Sequence, residues 1–138
     1  MEPTFRSAVP TFVVSEVAAT ARWYAENLGF RIAGHVPAVE PWAYASLMLG
    51  SAELMLLRAE GDAHPQVTPG RPWGPWNAYL RMDGVRAYYE RLEGHAFVTG
   101  ELRKQSYGDW EFEVRDPNGY ILVFGGDVAV PKLSAGST

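Results

Sequence analysis

The sequence predicts an α+β fold in which two tandem βαβββ modules form a curved mixed sheet around a concavity, with the helices on the outside. Two observations lead to this prediction. The pattern of one strand, one helix and three further strands occurs twice along the 138 residues, and the two copies align with a constant offset of 68. One module alone cannot bury both a helix face and a sheet face, whereas two modules can pair around a shared interior.

The first module is predicted to span residues 1–58. A strand over residues 8–14 leads into a helix with Ser15 as its N-cap, and Gly29 ends this helix. Apolar residues recur along the helix at the spacing of one helical face. A Gly-Ser pair at residues 50–51 predicts a tight turn between the last two strands. The three strands after the helix are expected over residues 30–36, 42–49 and 52–57.

The second module is predicted to span residues 76–125. It begins with a strand over residues 77–82, followed by a helix with Asp83 as its N-cap and Gly94 as its stop. The sequence Asp-Pro-Asn-Gly at residues 116–119 has proline second and glycine fourth, as a type I turn prefers. The three strands after the helix are expected over residues 97–103, 110–115 and 120–124.

The offset of 68 residues aligns the helix, the last hairpin and an aromatic strand of the two modules. Agreement across three elements is hard to obtain by chance, so the register is predicted to be the same in both modules. The matched pairs are Val17 with Val85, Trp42 with Trp110, Tyr44 with Phe112, Leu54 with Leu122, and Met55 with Val123.

Two segments lie outside the modules. Residues 59–75 are rich in proline and glycine and include Trp73. Two interpretations of this segment stay open: a linker whose tryptophans fill a gap, or a lid over the concavity. Residues 126–138 lose the pattern and are predicted to form a loosely held tail. The whole chain is expected to be a single structural domain.

Composition and charge exclude several classes of protein. The formal net charge of -4 argues against a partner that presents a phosphate backbone, so no nucleic acid is expected. The absence of cysteine excludes disulfides, thiolate nucleophiles and zinc–thiolate sites. No apolar run approaches the ~18 residues of a membrane span, and the first residues do not read as a signal peptide. We therefore expect a cytoplasmic protein with no membrane partner.

Three motifs give the chain a family resemblance. They are Ala-Val-Pro at residues 8–10, Trp-Tyr followed by Leu-Gly-Phe within residues 23–30, and Phe-x-Val-Arg-Asp-Pro-x-Gly at residues 112–119. Over residues 8–125 the chain resembles the vicinal oxygen chelate superfamily, which includes glyoxalase I, extradiol dioxygenases and bleomycin-resistance proteins. The bleomycin-resistance branch is the most similar. That resemblance implies a homodimer in which the N-terminal strand is exchanged near Pro10.

The resemblance also implies where a metal would bind. Metal-dependent members place ligands at the positions that are occupied here by Val9, Met55, Asn77 and Val123. These residues provide no imidazole and no carboxylate, which hard divalent ions require. We therefore expect no metal, no other cofactor and no catalytic residue at this site. The acid pair Glu111 and Glu113 alternates with aromatic residues along one strand. If the aromatic face lines the concavity, these acids are expected to face solvent or the other side of the sheet, and solvent is favoured.

What remains is an aromatic, apolar concavity. Flat rings stack on planar ligands and their faces attract cations, which predicts a planar aromatic, cationic small molecule as the ligand. A second interpretation stays open, in which the strand rings fill a small barrel. The predicted ligand-binding residues are Trp42, Tyr44, Met55, Trp73, Trp76, Asn77, Tyr107, Trp110 and Phe112.

Three functions are compatible with these observations. The first is a binding protein that sequesters a bleomycin-type antibiotic without chemical change. The second is a superfamily enzyme, either metal-dependent with unusual ligands or a metal-free isomerase or cyclase. The third is a module whose pocket binds nothing specific. The lack of metal-ligating side chains at the superfamily positions favours the first.

Overall fold

The structure, a computed structural model, describes residues 1–61 and 76–126. The chain divides into two compact units, with one described range in each. Most of the predicted linking segment, including Trp73, lies outside the described residues, and so does nearly all of the predicted tail. The lid and linker interpretations therefore stay predictions.

The first unit contains one helix and one four-stranded mixed sheet. The strand order is β1-β4-β3-β2, with β1 parallel to β4 and the other neighbours antiparallel. The helix contacts β2, β3 and β4. The elements are β1 (Thr11–Val14), α1 (Val17–Leu28), β2 (Arg31–Val36), β3 (Tyr44–Leu49) and β4 (Ala52–Arg58).

The second unit has the same architecture. Its strand order is β5-β8-β7-β6, with β5 parallel to β8, and its helix contacts β6, β7 and β8. The elements are β5 (Ala78–Arg81), α2 (Val85–Leu92), β6 (Val98–Lys104), β7 (Trp110–Arg115) and β8 (Ile121–Gly126). The predicted α+β fold of two tandem βαβββ modules is confirmed.

The helix ends agree with the sequence only in part. Gly29 ends α1 in the left-handed conformation, at φ 83°, as predicted. The N-caps are Glu16 and Gly84, and neither helix start has a side-chain capping hydrogen bond. The predicted caps Ser15 and Asp83 are therefore wrong. Within the two described ranges, no helix combines the length and the apolar character that crossing a membrane needs.

Each helix covers one face of its own sheet. In the first unit, Tyr24 of α1 and Leu47 and Leu56 of the strands are fully buried. In the second unit, the Tyr88 ring lies 5.1 Å from the Phe124 ring and 5.9 Å from the Phe112 ring, centroid to centroid. Removing these rings and aliphatic side chains from water stabilises each unit. The other face of each sheet is not covered by the helix of its unit.

The register of the two hairpins differs by one residue. Leu56 of β4 lies 68 positions before Phe124 of β8, as the sequence suggested. Their partners across the hairpin, Ala45 and Phe112, are only 67 positions apart. The prediction that Tyr44 and Phe112 are equivalent is therefore wrong. Because side chains alternate along a strand, a shift of one residue exchanges the two faces.

A longer turn causes this shift. Leu49 pairs with Ala52 across a two-residue turn in the first hairpin. In the second hairpin, the Asp116 amide donates to the Tyr120 carbonyl at 2.9 Å. The turn between these two residues therefore contains three residues, 117–119. Gly119 occupies a positive φ of 91° and its amide donates to the Asp116 carbonyl at 3.0 Å. The predicted Asp-Pro-Asn-Gly turn is present, and it is one residue longer than the constant offset allows.

Candidate functional site

The open face of the second sheet, which we define as the face opposite α2, carries acidic side chains. The Phe112 ring packs against Tyr88 and Tyr89 of the helix, so the alternation of β7 turns Glu111 and Glu113 to the other side. Val123 pairs with Glu113 and also with Tyr79 of β5, which brings these residues into one row across the sheet. The open face therefore combines two carboxylates with a tyrosine.

Glu111 accepts more hydrogen bonds than Glu113. It is only 6% exposed, so the favoured expectation that it faces solvent is wrong, and it lies buried on the side of the sheet away from α2. Its Oε2 accepts a hydrogen bond from the Tyr79 hydroxyl at 2.7 Å and a second one from the Tyr107 hydroxyl. A buried carboxylate needs such donors because it has lost its hydration shell. We call these three side chains the Tyr–Glu–Tyr cluster.

Gly125 makes this cluster possible. It pairs with Glu111 in the β7–β8 hairpin, and a Cβ at Gly125 would overlap the Tyr79 hydroxyl. The same Cβ would lie 2.9 Å from the Glu111 Cγ atom, which is closer than real Cβ contacts. A glycine inside a strand commonly marks such a close approach. The missing side chain gives Tyr79 the space to reach across to Glu111.

Glu113 is held in a similar way at the next position of the same face. Its Oε2 accepts a hydrogen bond from the Thr99 hydroxyl at 2.7 Å. Gly100 pairs with Glu113, and a Cβ there would lie 2.9 Å from the Glu113 Cβ. Each carboxylate of the open face therefore lies next to a glycine on the neighbouring strand, with one of its oxygens already bonded.

The tyrosine hydroxyls of the cluster stay protonated over a wide pH range. Partial burial of the hydroxyl, together with its hydrogen bond to Glu111 and the charge of that carboxylate, raises the pKa of Tyr107 to about 12. Burial and the same carboxylate raise the pKa of Tyr79 well above its usual value. Both phenols can therefore act as hydrogen-bond donors to Glu111 at any physiological pH.

A cleft of about 420 Å³ opens over this face. Its charged lining comprises three acids and one base, Arg103, whose guanidinium lies 3.4 Å from Glu101 in an ion pair. The rings of Trp76 and Tyr107 are 41% and 62% exposed. The described lining residues are Trp76, Gly100, Glu101, Arg103, Gln105, Tyr107, Glu111, Phe112, Glu113 and Val123.

Three of the predicted ligand-binding residues pack on the helix side of their unit. Phe112 is 2% exposed and its ring lies among the aromatic residues of α2, so it contributes little to the cleft wall. The Arg86 guanidinium of α2 lies 5.3 Å from the centroid of the Trp110 ring. In the first unit, Arg22 of α1 lies at the same distance from Trp42. These contacts indicate that the three rings stabilise their own units.

Trp42 also stacks on a histidine. The His35 and Trp42 rings are nearly parallel, with an interplanar angle of 8° and a centroid separation of 3.7 Å. Trp42 is 8% exposed, so little of its surface is left for a ligand.

The other predicted residues lie in different places. Tyr44 and Met55 share the open face of the first sheet, where the Tyr44 hydroxyl donates to the Met55 sulfur at 3.5 Å. The Asn77 side-chain oxygen accepts a hydrogen bond from the Ile121 amide at 2.8 Å, which fixes the start of β5 against β8. Trp76 and Tyr107 are brought together at the cleft of the second unit. Their role in binding a ligand stays a prediction.

The superfamily metal positions do not fit a divalent ion. In the first unit they are Val9, which has no donor atom, and Met55, whose thioether already accepts a hydrogen bond. In the second unit they are Val123, again without a donor, and Asn77, whose oxygen is bonded to a backbone amide. Hard divalent ions prefer carboxylate or imidazole ligands. Within residues 1–61 and 76–126, no group of three or more His, Cys, Asp or Glu residues is arranged to hold a metal ion.

The chain is thus a tandem βαβββ protein whose second unit has a cleft on the open face of its sheet. The Glyoxalase/Bleomycin resistance protein/Dioxygenase superfamily matches residues 7–124 by its family model, and the chain belongs to this superfamily. The comparison with curated proteins found no match.

Three solved structures illustrate the similarity of the fold. TioX from Micromonospora sp. ML1 is 20% identical, with a TM-score of 0.68 over 88% of this chain and 98% of that chain. A glyoxalase-related enzyme from Clostridium phytofermentans is 16% identical, with a TM-score of 0.69 over 89% and 95%. The bleomycin-binding protein of Streptomyces verticillus, in complex with copper(II)-bleomycin, is 20% identical, with a TM-score of 0.61 over 89% and 97%.

Sequence reasoning missed the Tyr–Glu–Tyr cluster. It noted Glu111 and Glu113 but assigned the aromatic side chains of β7 to the concavity, which turned the acids outward. The available indications were Gly100, inside a predicted strand, and Gly125, directly after one, because a glycine in such a place can mark a close approach of another side chain to the backbone. Tyr79 had no distinguishing pattern of its own.

Proposed function

We propose that the protein binds a planar aromatic cation in the cleft of the second unit and holds it without chemical change. A bleomycin-type antibiotic is the first candidate ligand, and the cytoplasm is the proposed location. The observation that carries this proposal is the cleft itself, in which two hydrogen-bonded carboxylates lie beside exposed aromatic rings.

The charge of the cleft favours a cation. Glu101 is paired with Arg103, whereas the hydrogen-bond partners of Glu111 and Glu113 are neutral hydroxyls. A cationic ligand would therefore gain Coulomb energy from two carboxylates, and one of them lies in a largely buried setting. An anionic ligand would meet the same two charges as repulsion.

The rings favour a planar ligand. Trp76 and Tyr107 are exposed at the cleft, and large exposed rings provide contact area at a low entropy cost. Base-like or heteroaromatic rings can stack on them, and a positive charge on such a ring adds a cation–π attraction of about 0.5–2 kcal/mol.

The superfamily relatives support both binding and catalysis. One solved neighbour is a bleomycin-binding protein in complex with its ligand, and another is a glyoxalase-related enzyme. The residues at the superfamily metal positions do not fit a divalent ion, which favours binding over metal-dependent chemistry. A metal-free isomerase or cyclase is the alternative that the experiment below separates.

Calorimetric titration with copper-free bleomycin tests the proposal. We expect saturable binding that weakens at least about threefold in Trp76→Ala, because a stacking surface is lost. Val39→Ala, which changes an exposed side chain of the first unit, is the matched control and should bind as wild type does.

The ligand is then recovered and its mass and chromatographic retention are compared with the starting material. An unchanged ligand supports binding without reaction, and a changed one supports the enzyme. No heat signal with bleomycin or with a panel of planar aromatic cations would contradict the proposed function.

We also propose a homodimer, with the N-terminal segment exchanged near Pro10. Residues 1–10 precede β1 without forming a helix or strand, and Phe5 is 95% exposed. A large apolar side chain gains free energy when a partner covers it. Sedimentation analysis over a dilution series should show a dimer at the higher concentrations. A monomer at every concentration would contradict the proposed homodimer.

A further inference from the structure

The two carboxylates of the open face are each bonded through one oxygen only. Both hydroxyls of the Tyr–Glu–Tyr cluster donate to Glu111 Oε2. The Thr99 hydroxyl donates to Glu113 Oε2. A carboxylate oxygen can accept about two hydrogen bonds, so Glu111 Oε2 is saturated. The Oε1 atoms of Glu111 and Glu113 have no hydrogen-bond partner among the described residues.

Solvent reaches the Oε1 atom of Glu111. Among the described residues, no buried side-chain oxygen or nitrogen lacks a hydrogen-bond partner. Since Glu111 is a buried residue whose Oε1 has none, this atom must itself be accessible to solvent. Glu111 and Glu113 both line the cleft, so a ligand bound there lies beside both residues.

The spacing of the two acids defines what can bridge them. They are two positions apart on one strand, which places their Cα atoms roughly 6.6 Å apart on the same face. Both carboxylates only accept hydrogen bonds, so a ligand group that bonds to both must present donors in two directions. Because two tyrosine hydroxyls bond to Glu111 Oε2, the orientation of the carboxylate, and so of Oε1, is fixed before a ligand binds.

We propose that the positive charge of the ligand lies on an amidine- or guanidine-type group that donates N–H hydrogen bonds to Glu111 Oε1 and Glu113 Oε1. This inference rests on the proposed function and names the chemistry of the ligand at the same cleft. A planar amidinium or guanidinium spreads its charge over several N–H donors, and hydrogen bonds between charged partners are about twice as strong as neutral ones.

A quaternary ammonium ion provides the contrast. It carries the same charge and can stack near the same rings, but it has no N–H group. It would cover the two directed acceptors without bonding to them, and a desolvated acceptor that is left unbonded costs about 1–3 kcal/mol. The cleft should therefore discriminate between cations by their donors rather than by their charge.

The experiment compares two probes with the same ring system, 2-naphthamidine and (2-naphthylmethyl)trimethylammonium. Their Kd values are measured by calorimetry on the full chain at low ionic strength. We expect the amidine to bind about tenfold more tightly or better, which corresponds to the difference of one charge-assisted hydrogen bond.

Variants locate the effect. In Glu111→Gln and in Glu113→Gln, the ratio of the two Kd values should fall towards one, because each change removes a charged acceptor. Glu90→Gln is the matched control: it removes the same charge from an exposed position on α2, the opposite side of the sheet, and should leave the ratio unchanged. Thermal unfolding of each variant shows that the fold is intact.

The outcomes separate the two proposals. If both probes bind wild type with equal affinity, the inference about the N–H donors is overturned and the proposed function stands. If neither probe binds but bleomycin does, the inference alone is overturned, and if bleomycin and the cation panel also fail to bind, both proposals are overturned. If the amidine is preferred but neither acid variant changes the ratio, the assignment to Glu111 and Glu113 is wrong.

Discussion

At the scale of single residues, the cleft depends on two neighbours in β7 that point in opposite directions. Phe112 joins the aromatic core beneath α2, and Glu111 turns to the open face and accepts two tyrosine hydroxyls. Neither role is available to the other residue, because a buried ring needs apolar contacts and a buried carboxylate needs donors.

Gly125→Ala tests the close approach of Tyr79 to the backbone. The new Cβ would overlap the Tyr79 hydroxyl, so this side chain must leave Glu111. We expect the free energy of unfolding to fall by about 1–3 kcal/mol, which is the usual cost of overpacking a core. Chemical denaturation measures the effect.

Gly34→Ala is the control, because Gly34 also lies in a strand, has an ordinary φ, and would direct an added Cβ into open space. It should change the free energy of unfolding by less than about 0.5 kcal/mol. Equal effects of the two substitutions would contradict the role assigned to Gly125.

The raised pKa of Tyr107 predicts a loss of stability at high pH. An unfolded tyrosine ionises near pH 10, whereas the folded Tyr107 keeps its proton until about pH 12. Raising the pH through this window therefore favours the unfolded state, which releases the proton first. The stabilising contribution is complete below about pH 10 and is lost as the pH passes the folded pKa.

Denaturation at a series of alkaline pH values measures this contribution. Tyr107→Phe should lose less stability than wild type between about pH 10 and 12, because no phenol can ionise at that position. Ultraviolet absorbance should show one phenol fewer among those that titrate late. Parallel curves for wild type and variant would contradict the hydrogen bond from Tyr107 to Glu111.

At the scale of elements, the length of one turn decides which side chains reach the open face. The β7–β8 turn contains one residue more than the β3–β4 turn, so β7 is shifted by one position relative to β3. Tyr44 faces the open side of the first sheet, while Phe112, its predicted counterpart, faces the helix. The open face of the first sheet therefore carries Tyr44 where the open face of the second sheet carries a glutamate of β7.

Asp116→Ala tests what holds this turn. The buried Asp116 carboxylate accepts hydrogen bonds from the Asn118 amide at 2.8 Å and the Tyr120 amide at 2.9 Å. Alanine removes the Oδ1 atom that accepts both bonds, and we expect a loss of about 1–3 kcal/mol in the free energy of unfolding.

Asp116→Asn keeps a side-chain oxygen at the same place and should recover at least half of that loss. Urea denaturation of the three proteins gives the comparison. A loss in the asparagine variant as large as in the alanine variant would mean that the charge, and not the acceptor, holds the turn.

At the scale of the whole molecule, the net charge and the cleft have the same sign. The chain carries a formal net charge of -4, and the cleft contributes two carboxylates that are not paired with a basic residue among the described positions. Long-range attraction should therefore help a cationic ligand to associate, and dissolved salt should weaken this attraction.

The prediction is that the affinity for 2-naphthamidine falls as the salt concentration rises, while the affinity for a neutral planar ligand such as 2-naphthamide does not. Calorimetry at low and physiological ionic strength measures both. A salt dependence that is the same for the two ligands would contradict an electrostatic contribution from the cleft.

The sequence by itself determined the elements and their order. Strand and helix periodicity, the glycine stop of α1 and the Asp-Pro-Asn-Gly turn depend on local residues, and each was found close to its predicted position. The superfamily also followed from local motifs. The N-caps were wrong because the helices begin through packing of their apolar faces rather than through a capping side chain.

Only the tertiary structure decided which face each side chain of β7 occupies. A repeat with one offset treats every turn as equally long, and a single extra turn residue exchanges the two faces of a strand. The hydrogen bond between Tyr79 and Glu111 also joins two parts of the sequence that lie 32 positions apart. Such a contact depends on strand order and register, which are long-range properties that no local pattern contains.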